Sequence, residues 1–160
     1  MSPPASPQHL LLLLALACLT LFLTPALAST VPFTACDNGE PAPTSVRMNC
    51  SSLVSDTCVL NKENTYLLQV DFVPDSPASD VESYVAWRSW VEMPLPGQDS
   101  KACDDHLSCP LTPGKVATFT YPLRVERFWM RRRYPMVWRL KDDDTDRVIL
   151  CFNIRTFVKS

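Results

Sequence analysis

Thr65–Val73 reads TYLLQVDFV, and its alternation sets the fold class. Tyr66, Leu68, Val70 and Phe72 fall on one side of an extended chain, and Thr65, Gln69 and Asp71 on the other. A period of two with one apolar side is the pattern of a half-buried β-strand. Pro74-Asp75-Ser76-Pro77 ends it with turn-forming residues. Downstream, Val81–Met93 reads as a second long strand. Val85, Trp87, Val91 and Met93 share one face, Glu82, Arg88 and Glu92 the other, and Tyr84, Ala86 and Trp90 leave that second face only partly polar. Lys115–Tyr121 sets Ala117, Phe119 and Tyr121 against Thr118 and Thr120. Met136, Trp138 and Leu140 alternate with Val137, Arg139 and Lys141, and after the polar run Asp142–Asp146 the residues Val148, Leu150, Phe152 and Ile154 alternate again. Two alternating strands around a short polar tip form a hairpin. The tip lacks the glycine and spaced glutamate of an EF-hand loop, so it reads as a solvated turn.

Upstream, shorter strands are expected near Val31–Asp37, Thr44–Cys50 and Thr57–Asn61. No long segment repeats near 3.6 residues. About seven short strands separated by turn signals predict an all-β sandwich.

The segment before these strands has a separate job. His9–Phe22 contains a leucine-rich apolar run, followed by Thr24-Pro25 and Ala26-Leu27-Ala28. An apolar core, a helix breaker and a small-x-small site are the layout of a secretory signal peptide, although no Lys or Arg precedes the run. Residues 1–28 are therefore expected to be removed, leaving one domain over 29–160. The run is interrupted by Cys18 and Thr20 and is short for a bilayer span of about 20 residues.

The chain carries seven cysteines. Cys18 leaves with the signal peptide, and Cys36, Cys50, Cys58, Cys103, Cys109 and Cys151 remain. An even set in a secreted chain reads as three disulfides, for which fifteen pairings exist. Cys50 with Cys58 and Cys103 with Cys109 would close short polar loops, which leaves Cys36 for Cys151. A zinc site is disfavoured, because there is no C-x-x-C and His106 is the one histidine after residue 28.

Composition narrows the function. A net charge of −2 supplies no basic field for nucleic acid, and three glycines leave no phosphate-cradling loop. Nucleophilic catalysis needs a histidine base, and His106 sits in a short cysteine loop. No enzyme, no metal and no cofactor are expected. Arg124–Arg133, RVERFWMRRR, mixes arginines with aromatics; it reads first as a solvated strand edge and second as a surface for anionic lipid. Asn49-Cys50-Ser51 is an N-glycosylation sequon, with an unmodified surface Asn49 as the alternative.

Several motifs, taken in order, resemble the ML (lipid-recognition) domain family, in particular its Niemann–Pick type C-two sterol carriers and their arthropod relatives. They are Phe33-Thr34-Ala35-Cys36-Asp37, the Asn-x-Ser segment with its short Cys50–Cys58 loop, Pro94-Leu95-Pro96, and Cys103-x5-Cys109-Pro110. Pro122-Leu123-Arg124-Val125 and Trp138-Arg139-Leu140-Lys141-Asp142-Asp143 continue the series, and Cys151 falls in the last strand. The resemblance implies an immunoglobulin-like β-sandwich of two antiparallel sheets with bridges Cys36–Cys151, Cys50–Cys58 and Cys103–Cys109. It implies a ligand, a sterol or fatty acid, held between the sheets, and a mouth at Leu95, Val125 and Trp129. Candidate inner-wall residues are Tyr66, Phe72, Val85, Trp87, Phe119, Tyr121, Trp138 and Phe152, each of which could equally be core. Leu95 and Trp129 replace the Phe and Tyr of the family pattern, which changes the shape of the mouth. The expected partners are a lipid, then a membrane surface or a membrane lipid-transfer protein, with the chain acting as a monomer. The expected place is outside the cell or in the lysosomal lumen. An accessory that presents microbial lipid to an immune receptor is the alternative role.

Overall fold

The computed structural model describes residues 28–36 and 39–160. The signal-peptide expectation lies outside these residues except at Ala28. Among the described residues no helix is long and apolar enough to cross a membrane.

The all-β expectation holds. The strands are β1 (Ser29–Thr30), β2 (Phe33–Ala35), β3 (Ser45–Met48), β4 (Ser52–Val54), β5 (Thr57–Asn61) and β6 (Thr65–Phe72). They continue as β7 (Val81–Arg88), β8 (Glu92–Pro94), β9 (Ala117–Arg124), β10 (Arg133–Asp142) and β11 (Val148–Lys159). Among the described residues one helical turn, α1 (Ala102–Asp105), precedes β9. The strands make a four-stranded sheet, β1-β3-β6-β9, and a seven-stranded sheet, β4-β5-β11-β10-β7-β8 with β2 alongside β11. The pairings are antiparallel except one: β5 runs parallel to β11, with Thr57 opposite Arg155. The connection between them spans most of the domain, so no hairpin constrains their relative direction.

Alternation explains the core. Tyr66, Leu68, Val70 and Phe72 of β6 are all buried, as are Phe119, Tyr121 and Leu123 of β9. They meet Met136, Trp138 and Leu140 of β10 and Leu150, Phe152 and Ile154 of β11 in one cluster between the sheets. Each large side chain buried this way contributes about 1.5–3 kcal/mol. A second, smaller cluster of Cys36, Ala86, Val137 and Cys151 covers the outer side of the seven-stranded sheet.

The three disulfides are Cys36–Cys151, Cys50–Cys58 and Cys103–Cys109, as expected. Cys36–Cys151 closes a separation of 115 residues and ties the start of the domain to its last strand. In the chain-entropy picture a loop of that size is worth about 4–5 kcal/mol.

Two local expectations need correction. Val81–Met93 is not one strand but the hairpin β7–β8, with Arg88 opposite Glu92 and Trp87 opposite Met93. The reversal occurs over Ser89–Val91, closed by a Ser89 N–H to Val91 carbonyl bond of 3.2 Å. The Cys50–Cys58 loop is not simply a polar turn, since it contains β4, which pairs back on β5. Ser55 turns this hairpin at a positive φ of 52°.

Candidate functional site

β7 ends at the same edge of the sandwich where β10 begins, because Met136 lies opposite Trp87. β9 also ends there, with Arg124 opposite Thr65. The β7–β8 tip, the segment after β8 and the β9–β10 loop therefore converge on one end of the molecule. There the two sheets border a crevice of about 80 Å³, lined by Leu95, Gln98, Tyr121, Leu123 and Trp129 among others. Leu95 and Trp129 are buried. Gly97 turns the lining segment with φ +71°, a conformation glycine adopts without penalty.

The structure brings two of the three predicted mouth residues, Leu95 and Trp129, into the lining itself. Val125 is fully buried beside it, its backbone paired with Asn64 and Glu63 in the β5–β6 turn. An aromatic group backs the crevice. Trp129 meets Trp87 edge to face at 5.0 Å and 83°, and Trp87 stacks on Tyr134 at 4.8 Å. Tyr134 went unnoticed in the sequence because it follows three arginines, although it extends the alternation of Met136 and Trp138 by one step.

The predicted wall residues divide by position. Phe119 and Tyr121 of β9, Trp138 of β10 and Phe152 of β11 form a continuous aromatic group across the two sheets, with centroid separations of 5.2 to 6.5 Å. Val85 sits opposite Trp138 in the centre of the seven-stranded sheet. Phe72 lies at the far end of β6, opposite Ala117 and away from the mouth. The ring of Tyr66 is in the core, but its hydroxyl oxygen accepts from the Asn61 N–H at 2.6 Å and pairs with the Ser51 hydroxyl at 2.6 Å. Tyr66 thus clamps the Cys50–Cys58 hairpin to β6. Asn49 is partly exposed, and its side-chain oxygen accepts from the Leu67 N–H at 2.5 Å.

The polar groups of Gln98, Tyr121 and His106 near the mouth are engaged within the chain. Gln98 accepts from the Val85 N–H at 2.7 Å and donates to the Leu95 carbonyl at 3.3 Å. The Tyr121 hydroxyl accepts from the Asp99 N–H at 3.0 Å, and burial raises its pKa above the ordinary 10.0. His106 packs on the Tyr121 ring at 5.0 Å and meets the Asp99 carboxylate at 3.3 Å, which ties the Cys103–Cys109 loop to β9 and to the segment before the loop.

Outside the crevice the same end is unusual in its exposure. Trp90 at the hairpin tip is 97% exposed, and Phe128 and Met130 in the β9–β10 loop are 69% and 62% exposed. Arg127, Arg131, Arg132 and Arg133 are also exposed. Arg132 lies over the Tyr134 ring at 5.1 Å and Arg131 over Phe157 at 5.9 Å. A second groove, of about 400 Å³, lies on the outer side of the seven-stranded sheet beside Phe33, Arg88 and Asn153, apart from the space between the sheets.

Among the described residues, the one compact group of metal-ligand side chains is Cys36, Glu40 and Cys151. Both of its cysteines are joined in a disulfide, which removes the thiolates a metal would need.

Two sheets stapled by three disulfides, with a small crevice at one end, define an immunoglobulin-like sandwich. The chain belongs to the ML domain family, which matches residues 30–158. It is 30% identical over 103 residues to the ecdysteroid-regulated 16 kDa protein of Manduca sexta, covering 61% of this chain and 69% of that protein. It is 27% identical over 124 residues to NPC intracellular cholesterol transporter 2 homolog a of Drosophila melanogaster, covering 76% and 84%. Among solved structures, a Niemann-Pick type C2 protein from Japanese carpenter ant matches with a TM-score of 0.71 at 17% identity, covering 80% of this chain and 99% of that one. That match is a likeness of fold.

Proposed function

We propose that this protein is a secreted, soluble, non-enzymatic carrier that takes one sterol- or fatty-acid-like molecule between its sheets and passes it on at a membrane. The observation that carries the reading is the mouth: buried Leu95 and Trp129 line a crevice at the end of the molecule where Trp90, Phe128 and Met130 stand exposed. Family membership supports the lipid class, and the Drosophila relative is named a cholesterol transporter. Ligand pockets commonly measure about 300–1,000 Å³. Seating a lipid therefore requires the mouth aromatics to swing and the sheets to part. Burial of hydrocarbon at about 25 cal/mol per Å² supplies the driving force. The exposed aromatics suit the headgroup boundary of a bilayer, and the arginines suit its anionic heads.

Native mass spectrometry of the secreted chain, followed by extraction of its lipid, tests the reading. A one-to-one lipid complex is expected. Leu95→Asp places a charge in the lining and should weaken uptake by at least about ten-fold. A chain that takes up neither sterol nor fatty acid, or a Leu95→Asp chain that binds normally, would sink the assignment.

A further inference from the structure

We infer that the carried lipid ends in an acceptor oxygen, and that the indole N–H groups of Trp87 and Trp129 hold this oxygen just inside the mouth; the inference rests on the carrier reading. Trp129 is 3% exposed and lines the crevice, and its indole nitrogen is buried with no hydrogen-bond partner among the described residues. The indole nitrogen of Trp87, in contact with it, is in the same condition. Buried donors are nearly always paired, so two unpaired ones on contacting rings, one lining the crevice and one behind it, point to a group from outside the chain.

Ring contacts do not account for both. In a perpendicular pair, the edge of one indole meets the face of the other. The second ring then presents its own edge away from the first, so the 83° contact answers for one N–H at most. The remaining ring partner of Trp87 is Tyr134, stacked at 24°, and a stacked ring receives no N–H. Trp138 differs. Its N–H is also unpaired, but it lies deeper and meets Tyr121 at 74°, one face for one donor.

The rest of the lining narrows the chemistry. Both polar ends of Gln98 and the Tyr121 oxygen are already engaged. The charged residues of the lining balance, Arg124 against Glu126, so what the buried wall itself still offers is the indole donors. A bare hydrocarbon leaves those donors unmet, and an amine brings a further donor. A carboxyl or carbonyl oxygen accepts from both indoles. A hydrocarbon chain ending in such an oxygen is the class that fits, with the oxygen at the mouth and the chain between the sheets.

The test uses the full secreted chain, delipidated, with palmitic acid and the alkane of matching chain length as probes. Trp87→Phe and Trp129→Phe keep an aromatic ring and remove the donor. Each variant should bind palmitic acid about ten-fold more weakly, with alkane binding changed by less than about two-fold. In the unsubstituted chain the 15N-indole signals of Trp87 and Trp129 should move with palmitic acid and not with the alkane. Equal weakening for both probes would mean that the indoles act only as apolar wall and would overturn the inference. So would unchanged binding of both probes with still indole signals, as expected if water or ring faces satisfy the donors. If the unsubstituted chain binds alkane as tightly as acid, this inference alone falls. If it binds no lipid of any kind, the carrier reading falls with it.

Discussion

At the end of the seven-stranded sheet where β10 turns into β11, the charges are acidic and largely held within the chain. Asp142 is 5% exposed, accepts from the Asp144 N–H at 3.1 Å and faces the Arg147 guanidinium at 3.6 Å. Arg147 also reaches Asp75 at 2.9 Å, Lys141 reaches Asp146 at 2.7 Å, and the Ser79 hydroxyl donates to Asp144 at 3.2 Å. At the opposite end the charges are basic. Arg127, Arg131, Arg132 and Arg133 have no acidic partner among the described residues, and Trp90, Phe128 and Met130 stand exposed around them. The acidic end closes a hairpin and consumes its own charges in doing so. The basic end leaves cations and aromatic surface available to something outside the chain, at the place where the sheets border a crevice.

The comparison breaks most clearly on charge reversal at the basic end. Arg131, Arg132 and Arg133 together replaced by Glu should weaken binding to vesicles containing anionic lipid by about a hundred-fold, at roughly 1 kcal/mol per arginine near the surface. Thermal stability should stay within about 1 kcal/mol, because exposed side chains away from special features contribute little. Vesicle co-sedimentation at low and high salt measures it. Equal binding by the variant would show that the arginines are only a solvated edge.

The acidic end should respond the other way. Arg147→Ala removes the cation beside the buried Asp142 carboxyl and the tie to Asp75, and should cost about 1–2 kcal/mol of stability with no effect on vesicle binding. Urea unfolding monitored by tryptophan fluorescence reads the first quantity and co-sedimentation the second. A variant that loses vesicle binding as well would show that the two ends are not independent.

The same contrast explains how much was legible in the sequence. The strands that matter most, β6, β9, β10 and β11, each bury one side and expose the other, so a period of two reveals them. The β7–β8 hairpin escaped for a reason of parity. Its partners are Arg88 with Glu92 and Trp87 with Met93, so each residue faces one of the same parity, and a strand folded back this way alternates like a straight one. Ser89-Trp90-Val91 carries none of the Gly, Asn, Asp or Pro that mark a turn. Trp90 consequently looked like part of a semi-buried face when it stands at an exposed tip. β4 escaped because Ser52–Val54 is exposed on all three residues and shows no apolar side. Family motifs bring Leu95 and Trp129 to notice, and both line the crevice, while Tyr134, which backs them, is hidden by the arginine run before it. That Trp87 and Trp129 hold unpaired donors depends on distances between strands, which periodicity does not encode.

The smallest effect sharpens the comparison on the outer side of the seven-stranded sheet, between the two ends. Glu92, just past the β7–β8 tip, receives two hydrogen bonds from Arg139, at 2.5 and 3.0 Å. Those bonds hold its pKa below the ordinary 4.5, against the opposing effect of burial. A depressed folded-state pKa means that the folded protein favours the ionised form. Its contribution is then complete above the unfolded value near 4.5 and is lost as pH falls through the lower folded value. Glu92→Gln should therefore cost about 1 kcal/mol at neutral pH, after allowance for partial exposure, and flatten the acid limb of the stability profile below pH 4.5. Chemical unfolding across that range measures both. If wild type and variant lost stability in parallel as the pH fell, the pair would be decoration, and the β8 strand that carries Leu95 toward the mouth would owe its position to the backbone pairing of Ala86 with Pro94 and Trp87 with Met93.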